Sequence, residues 1–186
     1  MSIYNSNTKI KDAFKPAKES ILAGFLSNPY SSTSAQAKVE GDTAEFLPAI
    51  AVEIKNDTAE LGSGYSPTAL KIDKIATTKV DGFILESETM EVDGDSIKPI
   101  SDGTVQVALF GSGIRTYLPC ETDLSNVNLS DVVYYDETNK TITANSTDTI
   151  PTKLRIVGSV VSGYKREKQS DGSVIWKACS LVEVEF

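Results

Sequence analysis

Residues 104–163 alternate apolar and polar side chains over short stretches, and Gly, Pro or Asn cuts each stretch. The text reads GTVQVALFGSGIRTYLPCETDLSNVNLSDVVYYDETNKTITA and, further on, RIVGSVVSGY. Period-two patterning marks half-buried strands, and stretches this short leave no room for a helix of useful length. A chain with so many strands and close turns must close them into a barrel or stack them as a sandwich. The predicted class is therefore mainly β, a small β-barrel or β-sandwich.

The same period extends in both directions. Ile50, Val52 and Ile54 alternate with Ala51, Glu53 and Lys55, giving one apolar face and one mostly wet face. LKIDKIA at 70–76 and VDGFILE at 80–86 read as further strands, the second with a Gly suited to a bulge or a close backbone approach. Val105, Val107 and Leu109 face opposite to Gln106, Ala108 and Phe110, and Gly111-Ser112-Gly113 reads as a turn. Strands at 132–136 and 141–144 flank a hairpin turn in which Asn139 suits the left-handed conformation. Asp171-Gly172 marks another hairpin, whose second strand alternates from Val174 to Phe186 and ties the last residue into the sheet.

Residues 1–45 differ from the rest, being rich in Ser, Thr, Asn, Lys and Ala. Ile10, Phe14, Ala17, Ile21 and Phe25 recur at spacings of three and four, which suits one helical stripe. The sequence divides into a partly helical N-terminal arm at 1–45 and a β domain at 46–186. The arm either orders against a neighbour or packs as a helix on its own sheet. Its apolar residues Phe14, Ile21, Leu22, Phe25 and Leu26 are the candidate partner-binding anchors.

The chain of 186 residues has no histidine. Ser-His-Asp and Cys-His catalysis and the usual zinc sites fall with it. Among 26 acidic residues no carboxylate pair stands out for glycoside hydrolysis. The acidic stretch from Glu91 to Ser96 fails the EF-hand pattern, which needs a Gly where Lys98 stands and reads instead as a solvated loop. No phosphate loop follows Gly111-Ser112-Gly113. The sequence therefore names no catalytic, cofactor-binding or metal-ligating residue, and no cofactor. A formal charge of −8 opposes nucleic-acid binding, and the basic run Lys165-Arg166-Glu167-Lys168 reads as a solvated hairpin. Cys120 and Cys179 lie outside any C-x-x-C motif and read as small buried apolar residues of a reducing compartment. Neither a signal peptide nor a membrane-spanning run is visible, so the expected site of synthesis is a cytoplasm.

From Val80 onward the order of motifs resembles the tailed-phage structural cement, or head decoration, proteins. VDGFIL, GTVQVALFGSG, the acidic loop CETDLSNVNLSD, VVYYDETNKTITA and IVGSVVSG occur in that order. The turn motif is carried by Tyr134-Tyr135-Asp136-Glu137-Thr138-Asn139-Lys140-Thr141-Ile142. A second, Gly-containing strand is carried by Val157-Gly158-Ser159-Val160-Val161-Ser162-Gly163. The resemblance implies a non-enzymatic virion protein on the capsid surface, made in the host cytoplasm. Its implied partners are the major capsid protein and further copies of itself, a trimer ahead of a dimer, with no nucleic acid and no membrane. A competing reading is a carbohydrate-binding or adhesive β module of a phage tail or cell surface, with Tyr117, Tyr134, Tyr135, Tyr164 and Trp176 as stacking aromatics.

Overall fold

A computed structural model describes residues 20–27, 35–38, 46–60, 68–85, 90–93, 96–99, 104–128, 131–171 and 174–186. The chain lays down β1 (Ala35–Lys38), β2 (Ala51–Glu60), β3 (Thr68–Ile75) and β4 (Gly82–Ile84). A hairpin of β5 (Met90–Asp93) and β6 (Ser96–Pro99) precedes β7 (Thr104–Leu109). Then come β8 (Arg115–Pro119), a short 3₁₀ turn (Thr122–Asn126), β9 (Tyr134–Asp136), β10 (Thr141–Thr143) and β11 (Ile150–Pro151). The chain finishes with β12 (Arg155–Ile156), β13 (Val161–Lys168) and β14 (Val174–Glu185). The mainly β expectation is met.

Five strands close a barrel in the order β1-β3-β2-β4-β7, with β7 pairing back to β1. Only the β1–β3 pair is parallel among them. Ala37, Val52, Ile72, Ile84, Val105 and Val107 fill the barrel, which is the alternation the sequence displays. The opposite faces of β4, β7 and the start of β2 are not wet, whereas β3 turns Lys74 to solvent. Ala51, Phe83 and Ala108 join a second, larger core with Leu118, Tyr135, Ile142, Leu181, Val182 and Val184. The β4–β7 wall is thus apolar on both faces because two cores lean on it.

The second core lies against an antiparallel sheet in which β14 pairs with β8 on one edge and with β12 and β13 on the other. A three-stranded sheet of order β10-β9-β11 covers it from the side. Phe83 meets both Tyr135 and Phe186 edge-on at 5.6 Å, and Phe110 stacks on Phe186 at 5.9 Å. The Phe186 amide donates to Ile114 O, and Gly113 N donates to Phe186 O, so the last residue is tied in as expected. Gly111 and Gly113 both have positive φ, in keeping with the turn read there.

Several expectations need correction. Glu91 to Asp93 and Ser96, read as part of a solvated loop, belong to β5 and β6, and the strand read from Val157 to Gly163 begins only at Val161. The helical stripe is absent where it can be seen: residues 20–27 contain isolated bridges and a turn, with Ile21 and Phe25 in different environments. Ile10, Phe14 and Ala17 lie outside the described residues. Next, β1, at 35–38 and so within the expected arm, is a barrel strand that completes the closure. Lastly, in the β9–β10 hairpin the left-handed residue is Lys140 (φ 56°), one place after Asn139. Asp136 explains the shift. Its Oδ1 accepts from the amides of Thr138 and Asn139, and its Oδ2 from the Asn139 side chain, so Asn139 is committed to closing the turn. Burial works to raise the Asp136 carboxyl, but the Asn139 and Thr138 hydrogen bonds win and hold it below its ordinary value.

Candidate interaction surface

Residues 20–27 run as a strap across the β13–β14–β8 sheet and pair with both of its outer edges. At β13, Ala23 N donates to Tyr164 O and Tyr164 N to Ile21 O, at 2.9 and 3.0 Å. The strap then turns at Gly24 and reaches β8, where Gly24 N donates to Tyr117 O and Ser27 N to Arg115 O, at 2.8 and 2.9 Å. Thr116 Oγ1 donates to Phe25 O at 2.6 Å, and Ser27 Oγ donates to Glu183 Oε1 at 2.6 Å. Exposed strand edges are liabilities, and here one short segment covers part of two.

Crossing so close to β13 demands a residue without a side chain. A Cβ at Gly163 would sit 2.5 Å from Ile21 O and 2.3 Å from Leu181 Cδ1. Gly163 ends the Gly-containing strand motif of the sequence, and its role is this close approach.

The strap sorts the five candidate anchors. Ile21 packs toward the protein's own core beside the buried Ala23. Leu22 is half-buried at its bridge to Tyr164. Phe25 and Leu26 point outward, 43% and 40% exposed, although their backbone is pinned by Thr116 and the flanking bonds. Phe14 lies outside the described residues. Sequence periodicity grouped these residues on one helical face; the extended strap splits them between core and solvent.

The aromatics offered as sugar platforms are partly spent on the fold. Tyr135 is buried, and the Arg166 guanidinium lies 4.6 Å over the Trp176 ring. Tyr117 is half-buried, and burial together with the Glu183 charge pushes its hydroxyl upward. Cys120 is buried and Cys179 half-buried, both as free thiols. Burial raises Cys120 to about 12 and Cys179 to about 11, so neither is a nucleophile near neutrality.

The carboxylates that stand out are structural. Glu53, expected on the wet face of β2, is 4% exposed. A register shift between Glu53 and Ile54 breaks the β2–β3 ladder, and Asp81 Oδ2 accepts the Ile54 amide beside it at 2.8 Å. Glu53 Oε1 accepts the amides of Thr77 and Thr78 at 2.8 Å and hydroxyls from the same two residues. Asp81 also pairs with Lys79 at 2.7 Å, so it is not free to join an ion site. Asp102 lies outside the described residues. Among the described residues no group of three or more acidic or sulfur ligands converges on a metal position. No described helix is long and apolar enough to cross a membrane. No family model, curated protein or solved structure matches the chain.

Proposed function

We propose that the chain is a non-enzymatic decoration, or cement, protein of a phage head that seats on major capsid subunits through the surface carrying Phe25 and Leu26. The observation that carries this reading is two adjacent large apolar side chains left exposed on backbone fixed at both ends. An anchor whose backbone is already ordered loses little further entropy on docking. Covering the two side chains supplies about 1–2 kcal/mol each, which is weak for one copy. Repetition over a shell turns weak identical contacts into firm attachment. The order of motifs from Val80 onward supports the same reading, and the expected homo-oligomer, a trimer ahead of a dimer, belongs to it. The sugar-binding alternative is less well served, since Arg166 already covers one face of Trp176.

The test is a double substitution, Phe25→Asp with Leu26→Asp, in the full chain. Purified protein is mixed with heads lacking it, and bound copies are counted against the major capsid protein by quantitative mass spectrometry. The parent is expected to saturate at one copy per one to three capsid subunits, in round numbers, with the variant reduced at least tenfold at unchanged melting temperature. A variant that still saturates the heads removes the anchor role. A parent that never binds removes the capsid reading.

A further inference from the structure

The basic run at the end of β13 does not stand in open solvent. Lys165, Arg166 and Lys168 line one side of a cleft of about 450 Å³, and Lys140 of the β9–β10 turn lines it as well. The cleft lies where β13 and that turn meet the segment leading into β2. Its floor is apolar, with Leu47, Pro48 and Ala49 on one side and Pro119 on the other. All four floor residues are buried.

The charge balance inside the cleft runs opposite to the whole molecule. Among the described residues the lining has four cations and one carboxylate, Glu167, whose Oε2 lies 4.0 Å from Lys165 Nζ. Lys177, which does not line the cleft, engages both oxygens of Glu167 at 2.9 Å. Lys165 is held in place: its side chain is 15% exposed, and Nζ donates to Asn139 O at 3.3 Å. A chain with a formal charge of −8 thus concentrates positive charge in one concave, apolar-floored site. Enclosure by low-dielectric walls strengthens such a field relative to an open surface.

We infer that this cleft binds an acidic, partly apolar peptide segment of a protein partner. The apolar floor receives apolar side chains, and the cations at the rim donate to carboxylates. A nucleic acid fits worse, because the strongly acidic remainder of the molecule repels a long phosphate backbone. A small inorganic anion leaves the floor unused. The site is separate from the Phe25–Leu26 surface and does not depend on the capsid reading.

The experiment uses the full chain and a fluorescein-labelled twelve-residue probe of repeating Glu-Asp-Leu, followed by fluorescence anisotropy. Saturable binding that weakens as salt is raised is expected, with a loss of at least tenfold in Lys168→Glu and in Lys140→Glu. Lys153→Glu carries the same charge change at an exposed position outside the cleft lining and is expected to stay within twofold of the parent. Carbodiimide cross-linking should join probe carboxylates to Lys165 or Lys168, which locates the site without any substitution. Absent saturation, or an equal loss in Lys153→Glu, overturns the proposal. So does a (dT)12 oligonucleotide that binds as tightly as the peptide, or displacement of the peptide by millimolar inorganic phosphate.

Discussion

Glu53 shows how one buried charge can support a fold. Burial alone would raise its carboxyl, but the hydrogen bonds from Thr77, Thr78 and Lys79 more than offset that, bringing it from 4.5 down to about 2. A depressed carboxylate stabilises the folded state above its unfolded pKa, and the gain fades as pH falls toward the folded value. Glu53→Gln is expected to cost about 2 kcal/mol at pH 7. In urea unfolding that gap should narrow steadily below pH 4.5 and nearly vanish at pH 2; a gap independent of pH would mean that shape, not charge, carries the effect. Tyr135 is the opposite case. Its hydroxyl is buried with no partner in hydrogen-bonding geometry among the described residues, although the Ala51 backbone is close enough to oppose the upward push of burial on its pKa. Proximity without good geometry compensates little of the desolvation cost. Tyr135→Phe keeps the edge-on contact with Phe83 and is expected to leave the melting temperature unchanged or slightly raised. A loss above about 1 kcal/mol would restore a real bond to that hydroxyl.

At the scale of elements, the strap depends on β13 as much as on itself. Gly163→Ala places a methyl group where Ile21 O and Leu181 Cδ1 already stand. Backbone must move, so the strap should detach at β13 before the sheet fails. Hydrogen exchange at the Ala23 and Tyr164 amides should accelerate by at least tenfold, with the β13–β14 amides beyond the crossing little changed. Uniform acceleration across β13 and β14 would instead mean that the strap and sheet open as one unit. This arrangement also changes what a truncation reports. Removing residues 1–30 strips two sheet edges of their cover as well as removing Phe25 and Leu26, so substitution of the exposed pair is the cleaner test of docking. In the β9–β10 turn, Lys140 bears a left-handed backbone that disfavours side chains. Lys140→Gly is expected to stabilise by about 0.5–1 kcal/mol in thermal unfolding.

The whole molecule is unified by its shared wall. Strands β4 and β7 face the barrel with Ile84, Val105 and Val107, and the second core with Phe83 and Ala108. Phe186 contacts that wall through Phe83 and reaches the loop after β7 through Phe110. Cores joined in this way should melt together, giving one calorimetric transition with matching van't Hoff enthalpy. Phe186→Ala should cost about 3–4 kcal/mol and shift that single transition without splitting it. Two resolved transitions would show that the barrel holds without the second sheet.

The sequence by itself determined most of the strands, though not β1, β5 or β6, together with most turns and the class of fold, because alternation and turn chemistry act over a few neighbouring residues. Val105 and Val107, the Gly111-Ser112-Gly113 turn, the hairpin around Asp171 and the anchoring of Phe186 were all readable in that way. Long-range packing decided the rest. Glu53 looks solvated in an alternating strand until the β3–β4 connection brings the amides of Thr77 and Thr78 onto its carboxylate. Residues 20–27 carry a helical spacing, yet edge pairing with β13 and β8 satisfies their backbone in an extended form, and tertiary hydrogen bonds override a weak local preference. The basic run of β13 reads as a solvated face. It becomes a cleft wall only because Lys140 and the segment before β2 are brought opposite it by the closure of two sheets around one wall.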